Sequence, residues 1–281
     1  GRDNVAICGY HGWHDWYLSA KYAKIYNNLD THLFKDLKIE GVDKNLKNSS
    51  YSVNYNDLNI IKKLVKKDND IACIIMEVER DQTPKKNFLQ LVRKICSTNN
   101  IILIFDECTS GFRINYGGLH LRHKVYPDLA MFGKAIGNGY AITALIGKKK
   151  VMSVAKKTFL SSTFWSEKIG FVAALATLRK MKKIKSYDKL ISKSLKIKKG
   201  LEFLAKKNNI SITFTGLEAL INFEIEGLKN EKLNKIILSQ MLDKGFLAGN
   251  KIYVSVSHTD KLINQYLKNM EKVFKKIKKI L

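Results

Sequence analysis

Two residues stand where a protein chain could do covalent chemistry. Asp106 ends a run of five apolar residues, Ile101 to Phe105, and Lys134 follows a second short run, Leu129 to Phe132, after a single Gly133. Gly137 and Gly139 lie just beyond the lysine, small residues beside which another group can approach closely. A partly desolvated lysine amine condenses with an aldehyde, and a carboxylate beside a heterocyclic nitrogen keeps that nitrogen protonated. Together they are the two protein groups that pyridoxal phosphate chemistry needs.

The elements that must position them are short and apolar. A brief β-branched run bounded by polar residues reads as a strand buried on both faces, and its carboxyl end is where α/β sheets bind ligands. Ile71–Met76 reads as another such strand, ending at Glu77, and a helix over roughly Asn87–Thr98 leads from it to Ile101. Strand, helix, strand at this spacing predicts parallel pairing with a right-handed crossover. Asn4–Cys8 reads as a strand entering Gly9-Tyr10-His11-Gly12, and Ala141–Gly147 as the strand returning from the lysine turn. Asp57–Lys67 carries a helical apolar face of Leu58, Ile61, Leu64 and Val65. A helix from about Glu167 to Met181 should bury Phe171, Ala174, Leu175 and Leu178.

Residues 18–55 are rich in Asn, Lys and Tyr and carry no clear pattern. The basic stretch Lys180–Lys185 marks the expected boundary between a large domain, 1–184, and a smaller one, 185–281. In the second, a lysine-rich helix from Ser186 precedes strands near Ile210–Phe214 and Ala219–Ile225. A helix over Glu231–Leu242, a strand over Ile252–Ser257 and a terminal helix complete it.

The motifs FDECTSGFR, YPDL and FGKAIGNG, preceded by GYHGWHDWY and followed by SSTFWSE, resemble the class III, fold-type I pyridoxal-phosphate aminotransferases. Within them the likeness is nearest to glutamate-1-semialdehyde aminomutases, and it covers nearly the whole chain. The resemblance implies an α/β fold, a mainly parallel large-domain sheet with helices on both faces plus a smaller C-terminal α/β domain. It implies that Lys134 carries pyridoxal 5'-phosphate as a Schiff base and that Asp106 pairs with the pyridine nitrogen. Tyr10 matches the aromatic that stacks on the ring, with His11 beside it among the cofactor-binding residues. Cys108 stands where relatives have Val and would pack on the opposite ring face. Thr163 matches a threonine that reaches a partner subunit's cofactor phosphate, so a homodimer is expected; an N-capping segment is the alternative for that stretch. Glu77 matches an acid beside the substrate, but Val78 replaces the usual proline and a solvated strand end is an equal alternative. Arg113 matches a family position, facing either substrate or a neighbouring acid.

From this follows amino-group transfer with a small amino or carbonyl substrate. The first expectation is an aminomutase-like shift within a glutamate-derived semialdehyde. The alternative is an intermolecular aminotransferase on an amino-sugar or surface-polysaccharide precursor, suggested by the unusual GWHDWY wording. A third class, a basic binding protein on a relict enzyme fold, is opposed by the intact Asp106 and Lys134.

Charge and composition bound these readings. The 281 residues are 45% hydrophobic, enough for a globular core, and carry a formal net charge of +25. That excess comes from lysine spread over helix faces; arginine, the residue of base and phosphate recognition, appears only at Arg2, Arg80, Arg93, Arg113, Arg122 and Arg179. No nucleic-acid partner is expected. The four cysteines form no CxxC pair, and His11 and His14 lack a third ligand, so neither disulfides nor a metal is expected. No apolar run approaches a membrane span, which leaves the cytoplasm as the expected compartment. The chain opens Gly1-Arg2-Asp3 rather than with Met. The resemblance places a phosphate-cradling loop at a helix N-terminus upstream of Gly1. An N-terminally truncated chain is therefore expected, one that by itself holds cofactor weakly, turns over poorly and tends to aggregate.

Overall fold

The computed structural model describes residues 1–27, 29, 32 and 37–281. It divides into two compact units that part inside one helix, between Leu178 and Arg179, where the sequence placed its boundary at 184. The short segments Glu79–Thr83 and Arg113–Tyr116 belong with the second unit.

The first unit holds β1 (Asn4–Cys8), α1 (Asp15–Leu18), β2 (Ser50–Ser52), α2 (Leu58–Lys67), β3 (Ile71–Glu77), α3 (Phe88–Thr98), β4 (Ile102–Asp106), α4 (His120–His123), β5 (Leu129–Phe132), β6 (Ala144–Gly147), α5 (Lys149–Met152) and the start of α6 (Lys168–Ile184). Its six strands lie in the order β2-β1-β3-β4-β5-β6. Every neighbouring pair from β2 to β5 is parallel, and β6 runs antiparallel to β5. Five parallel strands therefore point the same way, and at their carboxyl edge Cys8 is level with Met76, Glu77 with Asp106, and Asp106 with Met131.

Local sequence explains most of these elements. Asp57 caps α2, its side chain accepting from the Ile60 N–H at 3.1 Å, and Ile61, Leu64 and Val65 are buried beneath the helix. In β4, Leu103 and Phe105 are buried while Ile102 and Ile104 are only half-covered, so the expected burial on both faces is incomplete. On one face the cover buries Ile7 and Ile75 but reaches Ile104 only in part. Ile7, Ile75 and Ile104 pack against Tyr17 and Ala20, which come from a four-residue helix and the 3₁₀ turn after it. Edge strand β2 had no signature: three residues, Ser-Tyr-Ser, recruited by pairing with β1.

Two expectations need correction. The return strand is shorter than read, because Ala141–Thr143 pass beneath α6, where Gly170 approaches the Ala141 carbonyl and Ile142, instead of pairing with β5. In α6 the inward stripe is Gly170, Ala174 and Leu178, spaced four apart, with Leu178 packed against Ala130, Phe132 and Ile136. Phe171 and Leu175 are exposed, each at 54%. Close approach to the sheet selects the small residues and turns the bulky ones outward.

The second unit contains α7 (Ser186–Lys207), β7 (Ile212–Thr215), β8 (Leu220–Ile225), α8 (Asn230–Met241), β9 (Lys251–Tyr253) and α9 (Asp260–Lys278). Its three strands form an antiparallel sheet in chain order, against which α7 and α8 pack, while α9 lies on α7 and α8. The fully buried Phe223, Leu233, Ile237, Met270 and Phe274 are part of its core. Strand β9 stops at Tyr253, short of the expected Ser257, because Ser255 and His258 close a turn through two hydrogen bonds. Thr259 then caps α9, its hydroxyl accepting from the Leu262 N–H at 3.2 Å. Among the described residues no helix is long and apolar enough to cross a membrane.

Candidate active site

The carboxyl edge of the first unit's sheet carries Tyr10 and His11 after β1, Glu77 at the end of β3, Asp106 and Cys108 at and after the end of β4, and Lys134 after β5. After β1 the chain turns at Gly9 with φ +110°, a left-handed conformation that glycine alone adopts without strain. A Cβ at Gly9 would sit 2.8 Å from Glu77 Oε2, so this turn lies directly on the end of β3. The Tyr10 N–H lies 3.5 Å from the same oxygen, which places Glu77 against the Gly9-Tyr10 backbone. The half-buried Tyr10 ring meets Trp13 at 4.8 Å and the edge of Tyr17 at 5.8 Å.

Next along the chain, His11 is buried and its Nδ1 lies 2.9 Å from Asp106 Oδ2. With a carboxylate as acceptor, the proton belongs on Nδ1. Asp106, 5% exposed, also accepts the Cys108 N–H on Oδ1 at 3.0 Å. The other ring nitrogen of His11, Nε2, is buried and has no hydrogen-bond partner among the described residues. His11 also acts electrostatically on His32, a residue the sequence did not single out. Burial pulls its imidazole down to about 4, and nearby His11 adds to that.

On the far side, Gly133 lets β5 end alongside Cys108: a Cβ there would fall 2.7 Å from the sulfur. The Cys108 thiol is held above its ordinary range by burial first and by the Asp106 charge second. Lys134 takes φ +43°, an uncommon left-handed conformation for a side-chain-bearing residue, of the kind that clusters at functional sites. Its Nζ donates to Thr109 Oγ1 at 3.1 Å.

Beneath this edge lies structure that motif reading missed. Glu107, wholly buried, accepts from the Ser110 hydroxyl, from the His120 N–H at 2.9 Å and from His120 Nδ1 at 2.8 Å. Asp128 accepts from the Leu103 N–H at 2.8 Å, from Arg93 at 2.7 Å and from Lys148 at 2.7 Å. Burial alone would raise its carboxyl, but those three donors outweigh it and hold it below the usual range. Asp128 thus ties β4 to the start of β5. Neither role shows as a local pattern in the sequence.

Thr163 is not part of this cluster. It is exposed in the turn before α6, and the capping role there falls to Glu167, whose Oε1 accepts from the Ile169 N–H at 3.0 Å. Arg113 belongs to the second unit, where its guanidinium lies 5.6 Å from the Tyr253 ring centre.

The donor set suits a cofactor bearing both an aldehyde and a basic ring nitrogen. An amine, a buried carboxylate with lone pairs to spare and a buried imidazole nitrogen without a partner among the described residues lie along one edge of the sheet. Among the described residues no cluster of His, Cys, Asp or Glu could hold a metal ion.

Comparison with known proteins agrees with this chemistry. The family profile described as aminotransferase class-III matches residues 6–281. The 3-aminobutyryl-CoA aminotransferase of Cloacimonas acidaminovorans (strain Evry) is 31% identical across 100% of this chain and 67% of its own length. A glutamate-1-semialdehyde 2,1-aminomutase of Nitrosopumilus maritimus (strain SCM1) is also 31% identical, over 96% of this chain and 68% of its own length. Among solved structures, the PLP internal aldimine form of Sphingopyxis sp. MTA144 FumI protein superimposes with a TM-score of 0.85 at 21% identity. That match covers 98% of this chain and 65% of FumI, so the chain spans about two thirds of the proteins it resembles.

Proposed function

Because the chain belongs to the class-III aminotransferases, whose cofactor is pyridoxal phosphate, we propose that it moves an amino group by way of Lys134 and Asp106. The observation that carries this reading is the meeting of a left-handed lysine and a buried, histidine-paired aspartate at neighbouring strand ends.

When bound, the cofactor supplies an electron sink for a carbanion beside the transferred nitrogen. Lys134 would hold the cofactor through its aldehyde, and its Nζ would carry a proton to and from the substrate carbon. Asp106 would keep the cofactor's ring nitrogen protonated, since an adjacent carboxylate favours the charged form. His11 orients that carboxylate through Oδ2. Tyr10 and Cys108 are the proposed contacts to the two ring faces, and Glu77 the acid beside the substrate.

The proposed subtype is aminomutase-like, an amino shift within a glutamate-derived semialdehyde, supported by the aminomutase relative. Intermolecular transfer is the second reading, favoured by the 3-aminobutyryl-CoA aminotransferase relative that matches the whole chain. The amino-sugar or polysaccharide-precursor substrate expected for that reading has no counterpart among the relatives named above. We also propose a cytoplasmic homodimer in which Thr163 reaches the partner's cofactor phosphate. The exposed Phe159, Phe164, Trp165, Ile169 and Val172 flanking Thr163 support an interface there.

Borohydride reduction in the presence of pyridoxal phosphate, followed by peptide mapping, tests the core of this reading. Label should fall on Lys134 and vanish in Lys134→Ala; label on another lysine refutes it. Turnover of glutamate-1-semialdehyde without a second substrate then separates the two subtypes.

A further inference from the structure

The turn between Asp106 and Phe112 holds a buried hydroxyl that the mechanism above leaves unused. We propose that Thr109 is the positioning residue for Lys134, docking its amine at the sheet edge, and that Glu107 fixes the turn that aims Thr109. The inference rests on Lys134 being the reactive amine.

Lys134 is an exposed residue on a flexible four-carbon stem, so something must hold its nitrogen where chemistry happens. The Nζ–Thr109 Oγ1 hydrogen bond at 3.1 Å does so from a residue 5% exposed. Thr109 is β-branched and therefore stiff at χ1. It is also pinned on both sides. Before it, the Cys108 N–H is held by Asp106; after it, the Ser110 hydroxyl is held by Glu107, and the Gly111 N–H bonds the Glu107 carbonyl at 2.8 Å. Glu107 is anchored in turn by two contacts to His120. The hydroxyl oxygen accepts a hydrogen bond from an N–H of the amine, so the neutral amine keeps its own lone pair free. The amine can then bond an aldehyde or take a proton without first breaking away.

Thr109→Val removes the hydroxyl at nearly constant volume, and Thr109→Ser restores it. The 281-residue chain is mixed with pyridoxal phosphate, quenched with borohydride at timed intervals, and mapped by mass spectrometry. Thr109→Val is expected to slow capture at Lys134, relative to the other lysines, by about tenfold, the loss of a prepositioned reactant. Thr109→Ser should stay within about twofold of wild type, a rescue that a merely space-filling role would not require. In the cofactor-free protein, a thermal cycle with Lys134→Met supplies a second measure. The lowering by Thr109→Val, about 2 °C for one hydrogen bond in a chain of this size, should disappear in the Lys134→Met background. Undiminished capture in Thr109→Val, or a thermal cycle with no coupling, overturns the proposal while the amino-transfer reading stands. Wild-type label away from Lys134 overturns both.

Discussion

Asp106 and Glu107 are consecutive acids at one strand end, and each pairs with the Nδ1 of a buried histidine, at 2.9 Å for His11 and 2.8 Å for His120. Successive side chains at a strand end are sent to opposite sides, so the two pairs face different surroundings. Glu107 is saturated by a hydroxyl, a backbone N–H and the imidazole, and the His120 ring packs near Phe105 and Tyr126. Asp106 has one backbone donor beside its histidine, and that histidine keeps a buried nitrogen without a partner among the described residues. A buried polar group left open costs free energy, so it persists where something else is meant to complete it. On the proposed function the difference is that between a scaffold pair and a working pair, although the two are neighbours in sequence and alike in geometry.

The sharpest way to break that comparison is to remove each acid in turn. Asp106→Asn should cut turnover by about 100- to 1000-fold, roughly 2.7–4 kcal/mol of barrier, because a neutral amide cannot hold a ring nitrogen protonated. Its melting temperature should change little. Glu107→Ala should do the reverse to the fold, costing about 3–5 kcal/mol of stability by stranding His120 and Ser110 in a buried site. Kinetics and calorimetry on the two variants check both halves. If Asp106→Asn melts as badly as Glu107→Ala, or turns over normally, the two pairs do not differ in kind.

A smaller effect probes the open pair through His32. Its native imidazole resists protonation down to about 4, whereas in the unfolded chain it protonates near 6.5. Between those values the unfolded state binds the extra proton, so stability falls as pH drops from 6.5 toward 4 and this contribution levels off below. The loss should be on the order of 2–4 kcal/mol. Denaturant midpoints at stepped pH, wild type minus His32→Gln, isolate it from carboxylates such as Asp128. Parallel curves for the two proteins would show that His32 is not the group responsible.

What was legible in the sequence follows the same divide. Asp106 and Glu77 could be placed at the sheet's carboxyl edge because each closes a short apolar run, and Lys134 because it follows one by a single glycine. Glu107, Thr109 and Asp128 could not, since their partners His120, Lys134, Arg93 and Lys148 are remote and no local spacing announces them. The face of α6 was misread for a different reason. Periodicity assigns bulky apolar residues inward, whereas here Gly170 and Ala174 face the sheet and Phe171 and Leu175 do not. Strand β2 was invisible because a three-residue partner of β1 needs no hydrophobic pattern of its own.

The mildest test falls on Tyr10, which immediately precedes the histidine of the open pair. Its ring is half-buried against Trp13 and Tyr17, with the Gly9-Tyr10 backbone resting on Glu77, so the ring can be trimmed without emptying a core position. If it serves the cofactor by stacking, Tyr10→Leu loses an offset π contact worth about 0.5–1.5 kcal/mol, which weakens binding by about two- to tenfold. Tyr10→Phe keeps the face of the ring and should bind as wild type does. Absorbance titration of pyridoxal phosphate into the three proteins, with melting curves alongside, reads affinity and fold separately. Weaker binding at an unchanged melting temperature puts Tyr10 with Asp106 and His11. A lowered melting temperature at unchanged affinity would put it instead with Glu107 and His120, as part of what the site stands on.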